Sequence, residues 1–292
     1  MATSGRRIRI VTDSSAHFLD PSVIERYQIT VLPLSFRLDG QVYREDRPAD
    51  VECFMAALRE GGPAPEILSP SADEIAEVYA RLNRETDRIL SLHISREIHG
   101  LWNIARTAAD RLLGRCDIRV VDSGTMAVGL ALLVEAAARY AETTYSLDDV
   151  VRLIRKLIPR LYAVFNVPNL NYLRRAALMG YAQTVLGEML GIRPFVTIEE
   201  GRLVAMEKVT SDLGTVDKLV EFVTEFAMVE HIVILQDKTE PNPLAAQLVE
   251  RLRLEFADRN YPVIPYKAST ACVFGPGALG VMVFEAEFGK DA

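Results

Sequence analysis

A serine, an arginine and a histidine share one short turn of this sequence. The segment Ser95-Arg96-Glu97-Ile98-His99 follows an apolar run (Ile89, Leu90, Leu92, Ile94) and precedes Gly100. The run reads as a strand. After Gly100, residues Leu101, Ile104, Ala105, Ala108 and Leu112 fall on one face of a helix. A strand that turns into a helix aims unpaired N–H groups and the positive end of the helix dipole outward, which suits a carboxylate or phosphate. His99 either donates to such an anion or covers the helix start, and Ser95 and the Gly100 backbone are further candidate contacts. Asp13-Ser14 and Asp122-Ser123 each follow a strand-like run. There they either cap helices or meet a ligand at the carboxyl edge of a sheet.

Catalytic patterns are missing. The chain has no GxSxG, no P-loop, no GxGxxG after its first strand and no HExxH, so no catalytic residue is assigned. Gly275-Pro276-Gly277 makes a poor phosphate cradle, because proline lacks an N–H; it reads as a bend that permits close approach. His93 reads as a satisfied core residue and Cys272 as a buried structural thiol. Cys53, Cys116 and Cys272 are odd in number and form no CxxC pair, which suggests neither a metal site nor a disulfide framework. No cofactor is expected.

The elements around these residues alternate. Strand signals at Ile8–Thr12, Val31–Leu38, Ile89–Ile94 and Ile118–Val121 are separated by helical ones at Val51–Leu58, Ser71–Asn83, the segment after Gly100, and the apolar stretch 125–138. Ser71 and Glu74 form a capping-box pattern. The order argues for an α/β protein with a mostly parallel sheet in its first half. Small residues at Ala127, Gly129 and Ala131 let a partner helix or a ligand chain lie close, or simply pack the core. In the second half, Pro194–Ile198 and Leu203–Lys208 flank Glu199-Glu200-Gly201, a hairpin signal. A domain boundary is expected near residue 160, giving domains 1–160 and 161–292.

The chain has 292 residues, is 49% hydrophobic and carries a formal net charge of −7, which argues against nucleic acid as a principal partner. No apolar run is long enough to span a bilayer. The opening MATSGRRIRIV lacks a signal-peptide core. With unpaired cysteines, this predicts a cytoplasmic protein.

Taken in order, several segments resemble the DegV family, whose fold is also called EDD. They are IRIVTDSSA (8–16), ITVLPLSFRLDGQVY (29–43), SPS (69–71), HISREIHG (93–100), IRVVDSGTMAVG (118–129), LNYLRR (170–175), LGEMLGIRPF (186–195) and FGPGALGV (274–281). The resemblance implies two α/β domains with a ligand tunnel between them. It implies a long-chain fatty acid or other apolar lipid held with its carboxylate at hydroxyls and backbone amides. It further implies a carrier, not an enzyme, that in many bacteria presents the acid to a separate fatty acid kinase.

Several polar positions depart from that pattern. The family's threonine-serine before x-Pro-Ser reads Ile67-Leu68, and the serine before the turn glycine reads His99. The Thr-Tyr after it reads Leu101-Trp102, and Gly-Gly-Arg-Ile reads Ala176-Ala177-Leu178-Met179. A later arginine is Thr210, and the histidine before Gly-Pro-Gly is Val273. The expected head-group residues are therefore His99, Ser95 and Gly100, then Ser69 and Ser71. Asp13, Ser14, Trp102, Ser123, Gly275 and Gly277 are candidates for the tunnel or domain edge. The other expectation is a relative that binds nothing, its tunnel filled by Ile67, Leu68 and Trp102.

Overall fold

In the computed structural model, residues 7–61, 64–240, 242–257 and 259–286 are described. Residues 1–6, which hold most of the opening read above as lacking a signal core, lie outside them. The first half runs β1 (Arg9–Asp13), α1 (Ser22–Arg26), β2 (Thr30–Leu32), β3 (Ser35–Leu38), β4 (Gln41–Arg44), α2 (Pro48–Arg59), β5 (Glu66–Leu68), α3 (Ala72–Leu82), β6 (Arg88–His93), α4 (Leu101–Asp110), β7 (Asp117–Asp122), α5 (Ala127–Ala141) and α6 (Leu147–Leu157). The second runs β8 (Leu161–Asn166), α7 (Leu170–Arg175), α8 (Tyr181–Met189), β9 (Arg193–Glu199), β10 (Arg202–Val209), α9 (Asp212–Thr224), β11 (Val229–Gln236), α10 (Pro243–Glu255), β12 (Val263–Pro265), α11 (Ala268–Phe274) and β13 (Leu279–Glu285).

Three sheets result. β2-β1-β6-β7 form a fully parallel sheet. β10-β9-β8-β13-β11-β12 form a mixed sheet in which only β11 and β12 run parallel. β4-β3-β5 form a small antiparallel sheet. The single strand expected over Val31–Leu38 is divided between two sheets, with Pro33 at the break. Proline cannot donate to a ladder, so pairing stops there and resumes on a different neighbour. The capping box forms as expected: Ser71 Oγ accepts from Glu74 N at 3.3 Å, and Ser71 N donates to Glu74 Oε2 at 2.8 Å.

The two larger sheets are joined through packed helices and shared cores. Helix α5 lies against β1, β6 and β13, and Gly129 faces the Met282 side chain of β13. The close neighbour at the small residues of 125–138 is thus a strand of the second sheet, where a partner helix or a ligand chain was expected. One apolar cluster gathers residues of both halves, among them Phe36, Phe54, Leu101, Phe165 and Phe274. Phe165 stacks on Phe274 with ring centroids 3.8 Å apart, over Gly280 of the neighbouring strand. A Cβ at Gly280 would stand 2.2 Å from the Phe165 ring.

Polar ties cross the same seam. Lys267 Nζ donates to Ser14 O at 3.0 Å and to Ala16 O at 2.8 Å. Glu45 accepts from the Ser14 hydroxyl and, at 3.0 Å, from Ser269 N. Burial pushes the Glu45 carboxyl up, and Ser14, Lys267 and Ser269 only partly offset it.

Two outcomes are expected. Gly280→Ala should destabilise the fold by about 2–3 kcal/mol, because the stacked Phe165 has no space to give way; urea unfolding measures it. Asp13 supplies the second. Burial alone would raise its carboxyl, but hydrogen bonds from His93, Ser15 and Ile94 outweigh that and hold it below the usual carboxylate value. A depressed acid stabilises the fold above its unfolded pKa of about 4 and loses that contribution as pH falls through the folded value. Asp13→Asn should therefore cost about 3 kcal/mol near neutrality, and the gap to wild type should narrow in acid. A gap independent of pH would contradict this.

Candidate functional site

The turn after β6 is held by two acids, one from each neighbouring strand end. Asp13 Oδ2 accepts from His93 Nδ1 and from Ile94 N, both at 3.0 Å, while Oδ1 accepts from Ser15 N at 3.1 Å. Asp122 Oδ1 accepts from Arg96 N at 3.2 Å and from Gly124 N at 3.0 Å. Both acids were read as helix caps or ligand contacts. Their carboxylates instead tie down the backbone that leads to His99. Ser123 closes a local turn by donating to Thr125 O at 3.0 Å, and Ser14 accepts from Leu34 N at 2.9 Å.

From Asp13 the hydrogen bonds continue inward. His93 Nε2 meets Ser91 Oγ at 2.7 Å, and Ser91 Oγ meets Tyr79 OH at 2.7 Å. An aspartate, a histidine and a serine in line resemble a hydrolytic triad, but all are completely buried. With no path to solvent, Ser91 cannot act as a nucleophile on an incoming substrate.

Most amides of the turn are already used. Ile98 N and His99 N donate to Ser95 O at 3.0 and 2.9 Å, and Glu97 N donates to Ser95 Oγ at 3.3 Å. Ser95 N donates to Thr125 O at 2.8 Å. The broad set of outward amides expected here is thereby narrowed to the start of α4. The Ser95 hydroxyl is committed as well: it donates to Gly201 O at 2.7 Å, and Ser95 is fully buried. It fastens the tip of the β9–β10 hairpin. Gly201, at φ +83°, makes that approach possible, since a Cβ there would lie 2.5 Å from Ser95 Oγ.

His99 opens onto a cavity of about 580 Å³, inside the range typical of small-ligand sites. One wall is Ile67 of β5; another is Tyr172, Arg175 and Ala176 around the end of α7; a third is Cys272 and Val273 of α11. Arg202 and Leu203 of β10 and Glu97 complete the rim. Ile67, His99 and Val273, distant in sequence, thus share one cavity. His99 Nε2 donates to Ile67 O at 3.3 Å, so the ring carries its proton on that nitrogen. Burial pulls the imidazole below its ordinary value, against smaller opposing effects from Ile67 and Asp13. Burial thus works against the imidazolium that a buried carboxylate would want.

None of the remaining candidates is among the residues that line this cavity. Ser71 caps α3 at an exposed position, and the Ser69 hydroxyl is buried with no partner among the described residues. Gly100 occupies the N-cap position of α4. Trp102 sits half-buried between Arg96 and Arg106, whose guanidinium carbons lie 5.5 and 4.9 Å from its ring centroid. Gly275 packs on the Tyr172 ring, and Gly277 N donates to Asp237 Oδ2 at 3.1 Å. Sequence reading did not single out Arg175, Arg202 or Glu97 for the site. Their only local signals were the arginine pair ending LNYLRR and the residue after the hairpin glycine. A second cavity, of about 720 Å³, takes Ser14, His17, Glu45 and Lys267. Among the described residues no cluster of acids, histidines and cysteines is placed to hold a metal, and no helix is long and apolar enough to cross a membrane.

Comparison with known proteins bears on the whole chain. The family model described as uncharacterised proteins of the DegV family matches residues 7–286. A DegV domain-containing protein of Streptomyces coelicolor is 32% identical over 282 residues, covering 95% of this chain and 98% of its own. One from Deinococcus radiodurans is 30% identical over 280 residues, covering 94% and 97%. A Thermus thermophilus DegV family protein, described for its fatty acid binding, superposes with a TM-score of 0.78 at 28% identity, covering 96% of this chain and all of its own. The fold is shared with a Streptococcus agalactiae DegV family protein at a TM-score of 0.84 and 23% identity, covering 96% and 99%. On the whole-length match and the shared architecture together, this chain belongs to the DegV family.

Proposed function

We propose that this protein binds a fatty acid or closely related apolar lipid and acts as its carrier, with the acyl chain held between the two halves of the molecule. The observation that carries this reading is the convergence of Ile67, His99 and Val273 on one cavity. Those are positions at which the family resemblance seats the lipid head group. The fatty acid binding described for the Thermus thermophilus relative supports the same ligand class. Ile67, Leu203 and Val273 of the cavity lining pack against a large apolar cluster, which gives an acyl chain an apolar wall to lie on.

Binding is favoured over catalysis because the Asp13–His93–Ser91 array is sealed and the thiol beside the cavity, Cys272, is pushed up by burial, which keeps it protonated. A tunnel filled by side chains fits the geometry less well. Ile67 lines an open cavity, and Leu68 and Trp102 are absent from its lining. The free thiols of Cys53, Cys116 and Cys272 support a cytoplasmic setting.

Native purification followed by lipid extraction and mass spectrometry should recover a single-chain lipid near one equivalent. If none co-purifies and none binds when added, the reading fails. His99→Ala removes part of the cavity wall and the hydrogen bond that ties it to Ile67 O, and should weaken lipid binding by about 0.5–1.5 kcal/mol, read by titration calorimetry. Partnership with a fatty acid kinase is expected to be poor, since Leu178, Thr210 and Val273 replace polar family residues. Acyl-phosphate formation in a reconstituted assay should be near background, and efficient turnover would contradict this.

A further inference from the structure

The inner wall of the His99 cavity gives an anion little support. Ile67, Ala176, Leu203 and Val273 are apolar, and the Nε2–H of His99 is already directed at Ile67 O. A carboxylate or phosphate buried against this wall would lose its water and regain few hydrogen bonds, an expensive exchange.

The rim carries two acids, Glu66 and Glu97, and two arginines, Arg175 and Arg202. Glu66 pairs with Arg37 at 2.8 Å. Glu97 pairs with Arg202 at 3.0 Å and with Arg96 at 3.4 Å. Arg175 has no hydrogen-bond or ion-pair partner among the described residues. Its charge is nevertheless felt by Tyr172 and Cys272, both on the cavity wall, so it acts across the opening and not only toward bulk solvent. Arg202 begins β10 next to Gly201, whose carbonyl is pinned by Ser95. The hairpin tip, and with it the backbone of Arg202, is fixed at the rim.

We propose that the ligand's anionic group sits at this rim, bound by Arg175 with Arg202 as a second donor, and not deep against the start of α4. The proposal rests on the lipid-binding reading above. It specifies a single-chain lipid ending in a carboxylate or a phosphate monoester, either of which the planar guanidinium fork can meet with two hydrogen bonds. Glu97 competes with that anion for Arg202 and repels it, so Glu97 limits the affinity.

The test uses the full chain stripped of lipid and three probes of equal chain length: the fatty acid, the alcohol and the alkyl phosphate. Arg175→Gln should weaken the acid and the phosphate about two- to fivefold, the scale of an ion pair at a solvated site. It should leave the alcohol unchanged. Glu97→Gln should strengthen both anions about two- to threefold, as expected when a nearby like charge is removed. The order of acid and phosphate for the wild type tells which anion the rim prefers. An unchanged acid-to-alcohol ratio in Arg175→Gln overturns the proposal, as does equal loss of all three probes, which would mean Arg175 only packs. If the wild type binds the alcohol but neither anion, the rim site is wrong while lipid binding stands. If it binds none of the three, the lipid reading itself falls.

Discussion

The buried carboxylate of Asp13 is the interaction on which the rest of the site depends. Removing a carboxylate from water costs several kcal/mol unless its lone pairs are filled. Here they are filled by Ser15, by His93 and by the amide of Ile94. Those donors come from the ends of two adjacent parallel strands, so satisfying one charge fixes where both strands stop. Asp122 repeats the arrangement one strand further along, taking the amide of Arg96. The turn from Ser95 to His99 is thus held at its entry by two acids from neighbouring strands, and α4 can start in only one direction.

This constraint extends across the molecule. A turn held in place presents the Ser95 hydroxyl at a fixed point, and the β9–β10 hairpin closes onto it through the Gly201 carbonyl. Lys267 and Glu45 make comparable ties on the other side of the seam. The cavity lies between these fastenings. Its walls come from β5, α7, β10 and α11, elements of all three sheets' neighbourhoods, and none would define a cavity alone.

Much of this was legible in the sequence where the signal is local. The β6–turn–α4 unit, the capping box at Ser71 and the hairpin at Gly201 depend on residues a few positions apart, and periodicity or turn chemistry reports them directly. The break at Pro33 was less readable, because a proline inside a β-rich run tells where pairing stops but not which sheet receives the remainder. The short edge strand Glu66–Leu68 has no pattern of its own and exists through its pairing with β3. The acids were correctly drawn to the strand ends, but their acceptor role was not visible. His93 and Ile94 stand about eighty positions from Asp13, and spacing along the chain carries no information about such a bond. Arg175 and Arg202 were hidden for the same reason. Each looks like an ordinary surface arginine until α7 and β10 are brought to one opening.

The division between an apolar wall and a charged rim also has an energetic consequence for the proposed ligand. Burying a methylene contributes about 0.8 kcal/mol, so a long acyl chain dominates the free energy whatever its head group. An ion pair at a solvated rim contributes about 0–1 kcal/mol and is screened by salt. Affinity and selectivity are then set by different parts of the protein: the core fixes how tightly a chain is held, and the rim biases which head group is kept. A deep carboxylate site ties the two together, because the charge must be desolvated before the chain can seat. With Ile67 and Val273 in place of the family's threonine and histidine, and the anion seated at the rim as proposed, that requirement is removed. In such an arrangement the chain can enter and leave without first stripping the head group of water, so the changes at the polar end lower the barrier to exchange while leaving most of the binding energy in the core.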